Sequence, residues 1–189
     1  MRCFVAADIG AGARAEVARA SERLRARIPE GRWPRPEAIH LTLDFLGEIG
    51  DADVARLRDS LESLRGEPPV QARLGRVGAF PGFGRARVLW IGLESAGGGL
   101  SALVRRVRAL TAALGLERAD DKPFVAHLTL ARFRPPCDLG HVELAGESRD
   151  TGGGRCLINR VILHQSLLSP EGAEYRSLCV IPLDGGRSA

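Results

Sequence analysis

The chain has 189 residues, 44% of them apolar, 26% charged and 5% aromatic, which excludes a collagen-like, low-complexity or wholly disordered chain. Its net charge of +4 admits a phosphate-bearing ligand without requiring one. The basic residues are arginines apart from Lys122, a bias that a GC-rich coding sequence also produces, so bulk arginine points to no function by itself.

The stretch "RCFVAAD" is a short apolar run closed by Gly10 and Gly12, and predicts a first strand. A helix is expected from about Ala13 to Arg27, with Val17, Leu24 and Ile28 on one face and Pro29 as its stop. "AIHLTLDFLG" predicts a second strand, opened after the turn-rich "GRWPRPE" and closed by Gly47. Asp51 or Asp53 is placed to cap the next helix, in which Val54, Leu57, Leu61 and Leu64 recur at helical steps before Gly66. "VQARLGRVGAF" and "RVLWIGL" predict two strands joined by the loop "PGFGRA". Leu100, Leu103, Val104, Val107, Leu110 and Leu114 then form the stripe of a third helix, ended by Gly115. "HLTLARF" predicts a strand after "DDKPF", with "RPPCDLG" and "SRDTGGG" as loops. "CLINRVILHQSLL" and "AEYRSLCVIPL" predict two last strands around the turn "SPEG", followed by a frayed tail "DGGRSA". The order β-α-β-α-β-β-α-β-β-β has neighbouring strand pairs. It predicts an α+β fold with antiparallel sheets rather than a doubly wound parallel one.

Several chemistries lack their residues. "AGGGL" and "TGGGR" have neither the G-K-[ST] continuation of a phosphate loop nor dinucleotide spacing, and read as turns. Cys3, Cys137, Cys156 and Cys179 form no C-x-x-C pair, which argues against a zinc knuckle and fits a reducing compartment. The start "MRCFVAADIG" is too short and too polar for a signal peptide, and no window reaches the length of a membrane span. A cytoplasmic monomer is expected.

One repeat carries chemistry. The tetrapeptide HLTL occurs at His40–Leu43 and again at His127–Leu130, 87 residues later, close to half the chain. Half of the four histidines and half of the four threonines fall in these two copies. On a strand, residues two apart share a face. His40 and Thr42 therefore project together, away from Leu41 and Leu43, and His127 and Thr129 do the same. If the two strands meet, two imidazoles and two hydroxyls converge. Imidazoles near pKa 6.5 divide acid and base roles at neutral pH. Hydroxyls donate to a phosphoryl anion, and Arg132 can fork onto its oxygens. A single copy of the motif would read as a half-buried strand histidine; two copies at half-chain spacing favour a site. No third ligand at a recognisable spacing supports a metal centre.

These residues resemble the RNA 2',3'-cyclic phosphodiesterases, or 2'-5' RNA ligases, of the two-histidine (2H) phosphoesterase superfamily. The likeness runs along nearly the whole chain, through "RCFVAADI", "IHLTLDFLG", "FPGFGRARVLWIGL", "PFVAHLTLARF" and "VILHQSLLSPEGAEYRSL". It implies one domain over residues 1–189, built from two intertwined lobes that each contribute one H-x-T-x motif to a central cleft, with helices outside. It implies opening of a terminal ribonucleoside 2',3'-cyclic phosphate to a 2'-phosphate and 3'-hydroxyl, without metal or cofactor. By that analogy His40 is the proton donor and His127 the proton acceptor, while Thr42, Thr129 and Arg132 hold the phosphate. The reverse reaction, joining RNA ends by a 2'-5' linkage, is expected as a side activity. The chain departs from many relatives at Ala126, where they carry proline.

Strict alternation puts Phe45 and Arg132 on the wrong face. Phe45 then packs in the core, unless the strand bends and brings it to the cleft to stack on a base. Arg132 needs the same bend. His164 reads as a structural histidine, His141 as solvated and Trp90 as core. Trp33 and Phe83 are loop aromatics able to flank a nucleotide, and Arg35 and Arg87 read as solvated. Two alternatives stay open from sequence: a noncatalytic module binding RNA ends, and a 2H enzyme for a small cyclic nucleotide.

Overall fold

A computed structural model describes residues 1–116, 123–142, 154–169 and 172–185, with the backbone alone for 168, 169, 172 and 173. Lys122, the start of "DDKPF", nearly all of "SRDTGGG", the tip of "SPEG" and the end of the tail lie outside the described residues. In chain order the elements are β1 (Arg2–Ala7), α1 (Gly10–Arg27), β2 (Leu41–Glu48), α2 (Asp51–Leu61), β3 (Val70–Phe80), β4 (Ala86–Glu94), α3 (Gly99–Ala113), β5 (His127–Cys137), β6 (Arg155–Ile158), β7 (Arg160–Ser169) and β8 (Gly172–Pro182). The strands form a single antiparallel sheet in the order β6-β3-β4-β5-β2-β1-β7-β8. The fold is α+β, and the expected pair of sheets is joined into one at its centre.

That join is narrow. β2 and β5 pair only at Leu41 and Leu128. Beyond it, Arg32 from the turn-rich loop exchanges two backbone hydrogen bonds with Arg132 and covers the free edge of β5. Four strands lie on each side of the join. The chain order β1-α1-β2 on one side matches β4-α3-β5 on the other.

The predicted last pair of strands proves to be three. "CLINRVILHQSLL" breaks at Asn159: β6 pairs with β3 on one side of the join, and β7 pairs with β1 and β8 on the other. One residue spans at most about 7 Å between its neighbours. The sheet must therefore curl until the β6 edge comes back beside the start of β7. Asn159 accepts a hydrogen bond from Leu183 N–H there, and Arg160 one from Asp8 N–H.

Two other expectations change. "RPPC", predicted as loop, continues β5, with Cys137 opposite Ala86. Pro135 and Pro136 lack an N–H, and the ladder slips between Ala86 and Val88 where they pass. Neither Asp51 nor Asp53 caps α2 by its side chain: Gly50 is the cap residue, and both carboxylates lie in the first turn, where they favour the helix dipole. Gly115, at φ +71°, ends α3 as expected.

The apolar sides of the two motifs meet the helices in one core. Leu41, Leu43, Leu128 and Leu130 are buried with Val17 and Leu24 of α1, Leu57 and Leu61 of α2, and Leu103 and Val107 of α3. Each such leucine contributes roughly 1.5–3 kcal/mol by leaving water. This core holds the central strands flat-side down and leaves the His-Thr side open. Among the described residues no helix is long and apolar enough to cross a membrane.

Candidate active site

The Leu41–Leu128 pair sits at the centre of both motifs. In an antiparallel pair, stepping one residue each way sets His40 beside Thr129 and Thr42 beside His127. The structure thus brings all four side chains to one face, on neighbouring strands. Each is half-buried.

Both imidazoles are held in the same way. Nδ1 of His40 lies 2.8 Å from the carbonyl oxygen of Ala38, and Nδ1 of His127 lies 2.7 Å from that of Val125. A carbonyl only accepts, so Nδ1 carries the proton of the neutral ring and donates it, and Nε2 keeps a lone pair. Each clamp comes from the residue two positions back, and the two clamps are again 87 residues apart.

The side of Phe45 and Arg132 is settled by a bulge. Val5 pairs with Asp44 but Ala6 with Thr42, so Leu43 is an extra residue in β2. Leu89 pairs with Ala131 but Trp90 with Thr129, so Leu130 is the extra residue in β5. After an extra residue the alternation resumes one step late. Leu43 and Asp44 are both buried, as are Leu130 and Ala131, and then Phe45 and Arg132 turn outward. The core position for Phe45 that strict alternation implies is thereby corrected: it is 54% exposed and lies on the histidine face. Arg132 reaches the same face.

The bulge also buries a carboxylate. Asp44 accepts a hydrogen bond from Thr111 Oγ1 of α3 at 2.8 Å, with Arg108 Nε at 4.0 Å. The Arg108 guanidinium stacks 5.2 Å from the Phe124 ring centroid, just before the Val125 carbonyl that holds His127. Asp44 is thus linked through α3 to the segment that aims the other histidine.

Each histidine is walled by rings that come from other strands. His40 stacks on Phe4 of β1 at 4.9 Å and takes the edge of Tyr175 of β8 at 5.0 Å. His127 takes the edge of Phe80 of β3 at 5.1 Å and lies 6.0 Å from Trp90 of β4. Trp90, expected in the core, is half-buried on the site side, where its ring lies across Gly78. Its indole N–H is buried without a partner among the described residues. Sequence reading missed Phe4, Phe80 and Tyr175, because cross-strand register alone places them. Trp33 is tied to the Ile28 carbonyl at 3.2 Å and takes no place in the site. Phe83 is exposed, and so is His141.

The walls set the proton affinities. Burial lowers His40 to about 4, the Ala38 bond opposes this, and His164, Arg132 and His127 add repulsion. Burial also lowers His127, against the Val125 bond and with Arg132 pushing the same way. Both rings are therefore held neutral at neutral pH. The described residues offer no group of three His, Cys, Asp or Glu side chains able to hold a metal.

Comparison with known proteins agrees with this architecture. Residues 9–90 match the family described as LigT like phosphoesterase. An RNA 2',3'-cyclic phosphodiesterase of Thermus thermophilus is 37% identical, over 98% of this chain and 91% of that protein. One of Archaeoglobus fulgidus is 33% identical, over 95% of this chain and 99% of that protein. A crystal structure of a Thermus thermophilus protein superposes with a TM-score of 0.80 at 28% identity, covering 99% of this chain and 100% of that one. E. coli LigT complexed with 3'-AMP superposes at 0.72 with 26% identity, covering 96% and 97%. The fold and these likenesses define a two-histidine phosphoesterase, a hydrolase. More narrowly, the chain belongs to the LigT-like phosphoesterase family.

Proposed function

We infer that this protein is an RNA 2',3'-cyclic phosphodiesterase, acting on a terminal 2',3'-cyclic phosphate of RNA to leave a 2'-phosphate and a 3'-hydroxyl. The observation that carries the reading is the matched pair of Nδ1 clamps on neighbouring strands, which reserves one Nε2 from each histidine for the substrate.

The cyclic phosphate carries one negative charge. Placed between the rings, it opposes the burial that keeps them neutral, so one imidazole takes up a proton on binding. His127 Nε2 then removes a proton from water while the water oxygen bonds to phosphorus. The P–O3' bond breaks, and His40 gives its Nε2 proton to the departing 3'-oxygen. The proton lost by His40 and the one gained by His127 balance through solvent before the next turnover. The Thr42 and Thr129 hydroxyls and the Arg132 guanidinium hold the phosphate oxygens as charge builds. Phe45, exposed beside them, is the surface on which the terminal base stacks. A 5'-hydroxyl in place of water gives a 2'-5' linkage by the same steps, as a side activity. The two halves of the sheet act as lobes of one domain, each supplying a His-Thr pair.

The test is incubation with 2',3'-cyclic AMP and with RNA ending in a cyclic phosphate, a chelator present, and separation of the product isomers. A 2'-phosphate from both is expected. Absence of turnover, or a 3'-phosphate, overturns the reading.

A further inference from the structure

The two halves of the site match wherever the chemistry needs them to and differ in what stands behind each histidine. Phe4 pairs with Phe45 on one side and with His164 of β7 on the other. Val88 of β4 has the same place between Arg132 and Phe80. The position held by the hydrocarbon ring of Phe80 on the His127 side is thus held by an imidazole on the His40 side. The Phe4 ring packs against both imidazoles, 4.9 Å from His40 and 5.2 Å from His164, at interplanar angles of 28° and 26°. The ring centroids of His40 and His164 are 6.1 Å apart. Tyr175 closes the cluster, 5.0 Å from His40 and 6.1 Å from His164.

We propose that His164 is a positioning residue of the reaction: set beside His40 against the shared Phe4 ring, it governs when His40 holds the proton that goes to the leaving oxygen. Few groups among the described residues face this cluster. β1 contributes only the uncharged ring of Phe4, β8 contributes Tyr175 and the hydroxyl of Ser177, 3.5 Å from His164 Nδ1, and the far strand β5 contributes His127 and Arg132. Among the described residues no carboxylate acts on His40 or His164. None of these residues offsets a proton on His164, and two unit charges about 6 Å apart repel at any dielectric between that of water and of a protein surface. One of the two rings takes a proton at the expense of the other. His164 is the largest of the charges acting against protonation of His40. As pH falls, His164 charges and withholds the proton from His40, adding to the loss that protonation of His127 causes on the acid side of the activity range. His127, backed by Phe80 and Trp90, has no such neighbour among the described residues.

This rests on His40 as the proton donor, so the closing experiment has one arm that needs no turnover. The Cε1–H resonances of His40 are titrated by NMR from pH 3 to 8 in the wild type, His164→Gln and His164→Phe, each without ligand. Phe keeps a ring in the stack and removes the charge; Gln removes both ring and charge. The His40 midpoint is expected to rise by about one pH unit in both variants. A midpoint unmoved in either, or moved in opposite directions, overturns the proposal and makes His164 a packing residue. In the second arm, kcat/KM for 2',3'-cyclic AMP is compared at pH 5.5 and 7.5. The ratio of the two should be several-fold higher in His164→Phe than in the wild type, and an unchanged ratio also overturns the proposal. A wild type without any turnover would sink the phosphodiesterase reading while the NMR arm still decides the coupling.

Discussion

Acid is the sharpest probe of the buried His40 ring. Burial holds it at about 4, against 6.5 for a free imidazole. Below pH 6.5 the unfolded chain binds a proton that the folded chain refuses until about pH 4. The stability tied to this group is therefore complete above pH 6.5 and is lost as pH falls toward 4. A pKa unit is worth roughly 1.4 kcal/mol, so the interval amounts to about 3 kcal/mol. That is a large part of the roughly 5–15 kcal/mol that holds an ordinary domain folded. His40→Asn removes the titrating group but keeps an N–H able to reach the Ala38 carbonyl. Urea unfolding of both proteins at half-unit steps from pH 4 to 8 gives two stability curves. His127 and His164, also lowered by burial, titrate in both curves, so the difference holds the His40 contribution together with its coupling to those two rings. The wild type should lose about 3 kcal/mol more than the variant between pH 6.5 and 4, with no divergence above 7. Parallel curves across the whole range would refute burial as the cause. The same argument predicts proton uptake when 2'-AMP binds at pH 6, read by calorimetry in two buffers of different ionisation heat.

His40→Ala and His127→Ala should each lower kcat by ~10²–10⁴ while circular dichroism stays native, as for loss of a general acid or base; wild-type turnover in either breaks the division of roles. Phe45→Ala should raise KM about tenfold for RNA with a cyclic phosphate end and leave kcat within a few fold, because stacking on an aromatic ring contributes about 1–3 kcal/mol to binding. An unchanged KM removes Phe45 from the site. At Gly78 a methyl group would overlap the Trp90 ring, which also faces His127. Gly78→Ala should cost ~1–3 kcal/mol in urea unfolding and reduce activity in step, where an ordinary strand glycine would gain from the same change.

Much of this was legible from period alone. The alternation in "HLTL" separates His40 and Thr42 from the leucines, and the structure keeps that separation. What alternation could not show is an extra residue: Leu43 looks like any other strand leucine, yet it moves Phe45 across the sheet, as Leu130 moves Arg132. Asn159 hid in a continuous apolar run for a related reason, since a break between strands in different halves leaves no Gly or Pro when the chain continues in the same direction. The walls around each histidine were the least readable part. Phe4, Tyr175 and His164 lie far apart in sequence, and only the register of β1, β7 and β8 brings them to His40. His164 in particular carries no motif, and a lone histidine between Leu163 and Gln165 reads as structural.

The crossing at Asn159 has a consequence for how the protein is made. The ribosome delivers both His-Thr pairs by residue 130, with all the described helices that back them. The His127 side then has its rings in place, since Phe80 and Trp90 precede it. His40 does not: His164 and Tyr175 emerge later, on β7 and β8. A nascent chain ending at Ile158 would carry every residue of the proposed chemistry and still leave its acid open to water. Competence is therefore conferred by the last strands synthesised, so a truncation that spares every motif residue would still disable one of the two imidazoles.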